Sequence, residues 1–359
     1  MDAFFASVEE REDPSLRKLP LIIARDPIIH GNKSVVTTAN YIARKFGIHS
    51  GMSARRAMQL CPYAVFKYGG YDKYAEVSKE INEIFFKYTD LVEAVSVDES
   101  FLDVTTNHYE IKSALKIAKL IQYDIYKQLN LTCSVGVSYT KFLAKMASNH
   151  MKPMGVTMVT PDITASFLDS IKITDFYGIG KKTAEKLLEH SISTGRDLAS
   201  LSEGDLIDKF GLSGSRLFDL ARGGIRTSKE VNPNKKRKSL GKEFTFIKNE
   251  FSEEQIFIKI NELSKQLKQK LDKNQVLGKN ISVKIHYSDF ELVRFSETFL
   301  NPTNDEFEIT RLFKYLVETN IEWSRGIRMI GVSIGGLQPE SFQNLSLFDY
   351  QTDLWETEK

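Results

Sequence analysis

The chain has 359 residues, 42% of them hydrophobic and 27% charged, with a formal net charge of +2. That length exceeds what one hydrophobic core serves and predicts roughly two to four domains. No run of about 18 apolar residues is present, which excludes a helical membrane span, and no basic-then-apolar leader pattern opens the chain. Cys61 and Cys133 form no CxxC pair, so neither a zinc cluster nor a disulfide framework is expected, as suits a reducing compartment.

MDAFFASVEE (1–10) opens the chain on apolar residues. LPLIIA (19–24) and SVVT (34–37) read as short strands, and NYIARKFGIHSGMSARRAMQLC (40–61) as a basic helical stretch. From Tyr71 to Tyr88, apolar residues at 74, 77, 81, 84, 85 and 88 have helical spacing. AVSVDESFLDV (94–104) reads as a β segment, but it carries Asp98, Glu99 and Asp103. Ile111, Leu115, Ala118, Ile121, Ile125 and Leu129 mark a second amphipathic helix. LTCSVGV (131–137) is a strand, KFLAKMASNHM (141–151) a helix and VTMV (156–159) a strand. Helices interleaved with strands predict an α+β, palm-like sheet with one face left for a substrate.

Residues 161–226 change to short Gly-punctuated helices, and the basic stretch KEVNPNKKRK (229–238) follows. From about 240 the pattern is strand, long helix (252–273), two strands (281–287 and 291–299), helix (305–320) and strand, a βαββαβ module. Ile281, Val283, Ile285 and Tyr287 alternate with Ser282, Lys284, His286 and Ser288, giving one buried and one polar face. The segment 343–359 is acidic, with Asp349, Asp353, Glu356 and Glu358 against Lys359.

Adjacent carboxylates are costly to bury unpaired. Successive strand residues point to opposite faces, so Asp98 and Glu99 act together only at a strand end or a sharp turn. A divalent metal is the simplest neutraliser, since Mg²⁺ takes carboxylate oxygens together with substrate phosphates. Two such ions about 3.5–4 Å apart drive in-line phosphoryl displacement. The plainer alternative is a surface hairpin with harmless acids. Tyr41 and Arg44, three apart at a helix start, share a face, and a guanidinium suits bidentate phosphate contact; the alternatives are a core tyrosine and a solvated arginine. Gly178 to Lys182 opens a helix, where glycine allows close approach of a phosphate and the terminal amides bind it; the alternative is an ordinary interhelical turn. The basic stretch is a phosphate contact or a solvated linker. Leu345, Leu347 and Phe348, apolar residues in a polar tail, either tuck back or dock in a partner's groove.

SVDESFLDV (96–104) resembles the catalytic motif of the Y-family DNA polymerases, the translesion enzymes. ANYIARKFGIHSGM (39–52) resembles that family's fingers signature, MDAFFASVEE its first palm motif, CSVGVSYTKFLAKMASNHMKPMG (133–155) its last palm motif, and FYGIGKKTAEKL (176–187) its thumb. The five motifs fall in the family's order over nearly the whole chain, and the bacterial DNA polymerase IV branch is nearest. The resemblance implies an α+β multidomain right hand. Its parts would be a palm with a ferredoxin-like βαββαβ-type sheet (1–10 and 71–160), fingers (11–70), a helix-hairpin-helix thumb (161–226), a basic linker (227–239), a βαββαβ little finger (240–342) and a clamp-binding tail (343–359).

The activity so implied is template-directed, error-prone translesion synthesis, with transfer of a nucleotide from a dNTP to a primer 3′-hydroxyl. Asp98 and Glu99 match the family's ligands for two Mg²⁺ ions, and Thr38, Tyr41, Arg44 and Lys152 its triphosphate-binding positions. Phe4 and Phe5 fall at the nucleotide, Phe5 at the sugar gate, where a ring would collide with a 2′-hydroxyl. Val35 and Gly51 suit an open pocket over the templating base. Gly178, Gly180, Lys181 and Lys182 match thumb contacts to DNA. Lys284, Arg294 and main-chain amides of the little finger could track the duplex backbone, contacts that carry no sequence information. Gln343, Leu345, Leu347 and Phe348 look like the bacterial sliding-clamp peptide. A cytoplasmic monomer, bound to no membrane and at the nucleoid when engaged on DNA, is expected.

One departure stands out. The family's first metal-binding Asp falls one residue before the position of Met1. Asp2 matches a different position and, on a strand, would lie about 6–7 Å from the ligand's place. The expectation is that the protein begins upstream of this Met; the alternative is a non-catalytic DNA- and clamp-binding chain. A nucleotide cyclase, another palm-type metal enzyme, would need neither GIGKK nor the tail peptide.

Overall fold

A computed structural model describes residues 1–30 and 33–341. The chain divides into two units, Met1–Lys235 and Lys236–Lys359, the second described as far as Ser341.

The first unit begins with α1 (Phe4–Glu12), β1 (Leu21–Ile23), α2 (Pro27–His30), β2 (Thr38–Ala39), α3 (Tyr41–Arg44), α4 (Ala54–Leu60) and β3 (Val65–Lys67). The strands form one small sheet in the order β2-β1-β3. The strand expected at 34–37 is displaced: Val35 makes an isolated bridge to Ser53, and the regular ladder runs through Thr38 and Ala39. The helical stretch expected at 40–61 is two helices, α3 and α4. Gly47 and Gly51 between them sit at φ +79° and +85°, a region that side-chain-bearing residues avoid. Asn40 starts α3, its side-chain oxygen accepting from the amides of Ala43 (2.9 Å) and Leu21 (3.1 Å).

The palm-like part contains α5 (Tyr71–Phe86), β4 (Val92–Ala94), β5 (Ser100–Leu102), α6 (Ala114–Leu129), β6 (Val135–Val137), α7 (Lys141–His150) and β7 (Val156–Met158). Tyr74, Val77, Ile81 and Ile84 of α5 and Ile117, Ile121 and Ile125 of α6 are buried, the apolar stripes the spacing predicts. They pack with Phe4, Val8, Leu131 and Cys133 into one core. The β structure here is two separate ladders, β4–β5 antiparallel and β6–β7 parallel. The first two residues link them: the Met1 nitrogen donates to the Asp98 carbonyl at 2.7 Å, and the Asp2 amide to the Thr132 carbonyl at 3.0 Å.

Short helices α8 (Thr164–Asp169), α9 (Lys181–Glu189), α10 (Gly195–Ala199), α11 (Glu203–Phe210) and α12 (Ser213–Leu220) complete the unit. Reciprocal capping boxes at Thr194–Asp197 and Ser202–Asp205 start α10 and α11, which helps helices this short to form. Their core is shared with Phe142, Leu143 and Met146 of α7, so the expected palm–thumb boundary at 160 cuts across one continuous cluster.

The second unit runs β8 (Ser239–Glu250), α13 (Glu253–Lys273), β9 (Val276–Tyr287), β10 (Leu292–Thr303), α14 (Glu306–Asn320), β11 (Ile327–Gly335) and β12 (Gln338–Pro339). Its antiparallel sheet has the order β10-β9-β11-β8, with β12 paired to the start of β9. Ile281, Val283, Ile285 and Tyr287 are all buried, the face their alternation marked. They pack against Ile256, Ile260, Leu263 and Leu267 of α13 and Ile309 and Phe313 of α14. Among the described residues no helix is long and apolar enough to cross a membrane.

Candidate active site

Asp98 and Glu99 occupy the connection of the β4–β5 hairpin, not a strand. The Glu99 carbonyl closes this turn by accepting from the amides of Val95 (2.9 Å) and Ser96 (3.2 Å). A turn frees the two carboxylates from the opposed directions a strand would impose. Asp98 Oδ1 accepts from the Ser96 hydroxyl at 2.7 Å. Glu99 Oε2 is paired with Lys145 of α7, whereas Glu99 Oε1 is buried with no hydrogen-bond partner. Asp103, the third acid of the stretch, serves a turn: its carboxylate accepts from the Thr105 amide at 2.9 Å.

Among the described residues no group of three or more His, Cys, Asp or Glu could hold a metal. Two carboxylates nevertheless fit a hard cation that draws its remaining ligands from substrate phosphates and water. The orphaned Glu99 oxygen supports that fit. Asp2 does not join them. It is buried, and its two oxygens accept from the Ser134 hydroxyl (2.7 Å) and the Met154 amide (2.9 Å). Ala3, in the left-handed conformation at φ 44°, then turns the chain into α1, so strand spacing does not apply to Asp2.

The predicted triphosphate residues come from β2, α3 and the loop after α7. Thr38 is buried on β2. The Tyr41 hydroxyl is buried without a partner, and burial, followed by the negative Asp2, pushes its pKa up. The Arg44 guanidinium lies 4.8 Å from the Tyr41 ring centroid, and its Nε donates to the Ala39 carbonyl at 2.9 Å. Partial desolvation and the nearby Lys145 lower the Lys152 pKa, while Asp2, Asp98 and Glu99 act in the opposite sense. Lys152 therefore shares one electrostatic neighbourhood with the paired acids.

The two phenylalanines separate. Phe4 is buried in the core, whereas Phe5 is half-buried with its ring stacked on Tyr74, centroids 4.1 Å apart and planes 15° from parallel. In the thumb-like part, Gly178 has φ +87° and Gly180 is the N-cap of α9, with Lys181 and Lys182 exposed in its first turn. Arg216 lies against Gly178, where a Cβ would meet its Nη2 at 2.5 Å. Lys284 and Arg294 face each other across β9 and β10; the Lys284 ammonium donates to Glu243 at 2.8 Å. Gln343, Leu345, Leu347 and Phe348 lie outside the described residues.

Sequence reasoning missed the residues that hold the hairpin. Glu93 on β4 is buried and paired with Lys141, with Lys235 at 3.0 Å, and with the Asn232 amide at 3.0 Å. Part of the basic stretch is thus committed to a carboxylate. The KxxxK spacing of Lys141 and Lys145, four apart on a helix that follows an acidic hairpin, was the available signal.

Residues 1–149 match the impB/mucB/samB family, residues 161–190 the IMS family HHH motif, and residues 237–347 the impB/mucB/samB family C-terminal domain. A DNA polymerase IV of Streptococcus thermophilus (strain CNRZ 1066) is 47% identical over 349 residues, 97% of this chain and 95% of that protein. A DNA polymerase IV of Streptococcus agalactiae (strain NEM316) is 47% identical over 340 residues, 95% of this chain and 93% of that protein. Among solved structures, a Y-family polymerase chimera of Dbh and Dpo4 superposes with a TM-score of 0.83 at 27% identity, covering 94% of this chain and 97% of that one. DinB from Sulfolobus solfataricus gives a TM-score of 0.64 at 27% identity, covering 93% and 96%. With family models matching both units and relatives of nearly half identity along almost its whole length, the chain belongs to the Y-family DNA polymerases, the enzymes of translesion synthesis.

Proposed function

We propose that the hairpin acids, with two Mg²⁺ ions, carry nucleotidyl transfer from a dNTP to a primer 3′-hydroxyl. The buried, unpartnered Glu99 Oε1 supports this reading most. A carboxylate oxygen out of water without a donor is costly, and a cation shared with substrate phosphates removes that cost. Asp98 and Glu99 would hold the ions, whose charge would favour attack of the hydroxyl on the α-phosphate and offset the charge on the departing pyrophosphate. Asp98 and Glu99 supply the protein oxygens.

Arg44 holds the triphosphate through its guanidinium fork, Tyr41 donates its unpartnered hydroxyl, and Thr38 and Lys152 complete the set. Phe5 lies under the sugar; Phe4, with its side chain in the core, contributes main chain only. Gly178, Gly180, Lys181 and Lys182 bind a duplex phosphate, and Lys284 and Arg294 follow the backbone from the second unit. The partners are primer–template DNA and dNTP, and a solved relative, Dbh DNA polymerase, is described as an insertion ternary complex. The 343–348 peptide engages the sliding clamp. The protein works as a monomer on DNA in the cytoplasm, with fingers, linker and little finger bounded as expected from the sequence, and with a palm and thumb that share one core across residue 160.

Primer extension with Mg²⁺ tests the core of this. Asp98→Ala should abolish extension, and extension equal to wild type would remove the hairpin from the chemistry.

A further inference from the structure

Two ion pairs join α7 to the β4–β5 hairpin, and only one is complete. Lys141 and Lys145 lie one helical turn apart and share a face. Lys141 meets Glu93 on β4, and Lys145 meets Glu99 in the turn before β5. Glu93 has donors on both oxygens: Oε2 takes Lys141 and the Asn232 amide, and Oε1 takes Lys235. Glu99 has donors on one oxygen only, with Lys145 on Oε2 and Oε1 buried and alone.

The Lys145 side chain is 18% exposed and that of Glu99 26%. Enclosing a lysine stem costs rotamer freedom, and the pair still leaves a buried acceptor unsatisfied. Stability alone favours completing such a pair, as at Glu93. The helix that carries Lys145 is itself fixed. Thr140 caps α7 and donates to the Gly223 carbonyl at 2.7 Å. A Cβ on Gly136 of β6 would lie 1.9 Å from the Ala144 carbonyl oxygen, so α7 rests directly on that strand.

We propose that Lys145 is a positioning residue for the metal centre: by holding Glu99 Oε2 it fixes the carboxylate and reserves Oε1 for the cation. This rests on the reading of Asp98 and Glu99 as metal ligands. The alternative role is competition, in which the Lys145 ammonium opposes the cation. The two predict opposite signs on removal of the charge.

The test is Mn²⁺ binding by electron paramagnetic resonance, using the full chain on a dideoxy-terminated primer–template with the matching dNTP. Lys145→Met should weaken Mn²⁺ binding about 10-fold, in the range found when a group that orients a ligand is lost. Lys145→Arg should weaken it too, although the charge is kept, because a guanidinium fork takes both carboxylate oxygens. Lys141→Met, which leaves Glu93 its Lys235 and Asn232 donors, should weaken Mn²⁺ binding less than Lys145→Met. The Arg variant preserves the ion pair and decides the matter if the Met variant does not fold. Binding equal to wild type in both Lys145 variants, or tighter in Lys145→Met, overturns the proposal. Wild type that extends primers but binds no Mn²⁺ at Asp98 and Glu99 overturns the metal-site reading itself, and the proposal with it.

Discussion

The sugar-gate role proposed for Phe5 rests on what stands behind it. Its ring lies flat on Tyr74, whose hydroxyl donates to Glu9 Oε1 at 2.7 Å. Glu9 is buried and is held in turn by Lys73 (2.6 Å) and Lys67 (3.1 Å). On the proposed reading, that backing holds the ring in the path of a 2′-hydroxyl. Phe5→Val should raise the kcat/KM for CTP relative to dCTP by roughly 10-fold or more, the scale on which a small steric difference discriminates substrates. An unchanged ratio in primer extension would take the gate away from Phe5. The neighbouring Phe4, equally aromatic and one residue earlier, is buried and carries no such expectation. Adjacent residues at a helix start face different ways, and only the folded chain says which one is buried.

At the scale of elements, the hairpin bearing the acids is pinned by Glu93. Burial alone would raise the Glu93 pKa, but Lys141, the Asn232 amide and Lys235 outweigh it and hold the carboxyl at about 2, against an ordinary 4.5. A depressed carboxyl stabilises the fold fully above the ordinary value, and that stability is lost as pH falls through the folded value. Glu93→Gln should therefore cost about 1.5–3 kcal/mol at pH 7, the range for hydrogen bonds to a charged group. The gap from wild type should narrow as the pH drops from 4.5 towards 2. Urea unfolding at several pH values measures both, and a gap that stays constant with pH would show that charge is not what Glu93 supplies. Lys235 and Asn232 also stand at the end of the first unit, so the same carboxylate holds part of a stretch that composition alone leaves open between a phosphate contact and a solvated linker.

At the scale of the whole molecule, the break between the units falls at Lys235–Lys236, within the basic stretch. Each unit has its own apolar core. Residues 343–359 are the last of the sequence, and the proposal that their peptide engages a sliding clamp makes a separable prediction. Leu347→Ala with Phe348→Ala should abolish stimulation of extension by the clamp and leave clamp-free extension unchanged. Equal loss of both activities would point to folding instead.

The sequence by itself determined the elements whose signal is local and periodic. α5, α6, α13 and α14 declare their apolar stripes, and the alternation of Ile281, Val283, Ile285 and Tyr287 declares the buried face of β9. The order of five motifs determined the family, and the adjacency of Asp98 and Glu99 marked the proposed site. The rest depends on contacts between residues distant in the chain, which no local period encodes. Tertiary structure alone decided that Glu99 keeps one oxygen unpartnered, that Lys141 and Lys145 reach across 40 or more residues to the hairpin, and that Asp2 is occupied by Ser134 and Met154. It also decided that the helices after residue 160 share a core with α7. Charge pairing and burial are properties of three-dimensional neighbours, so a motif can say which carboxylates matter, and only the fold says what each of them touches.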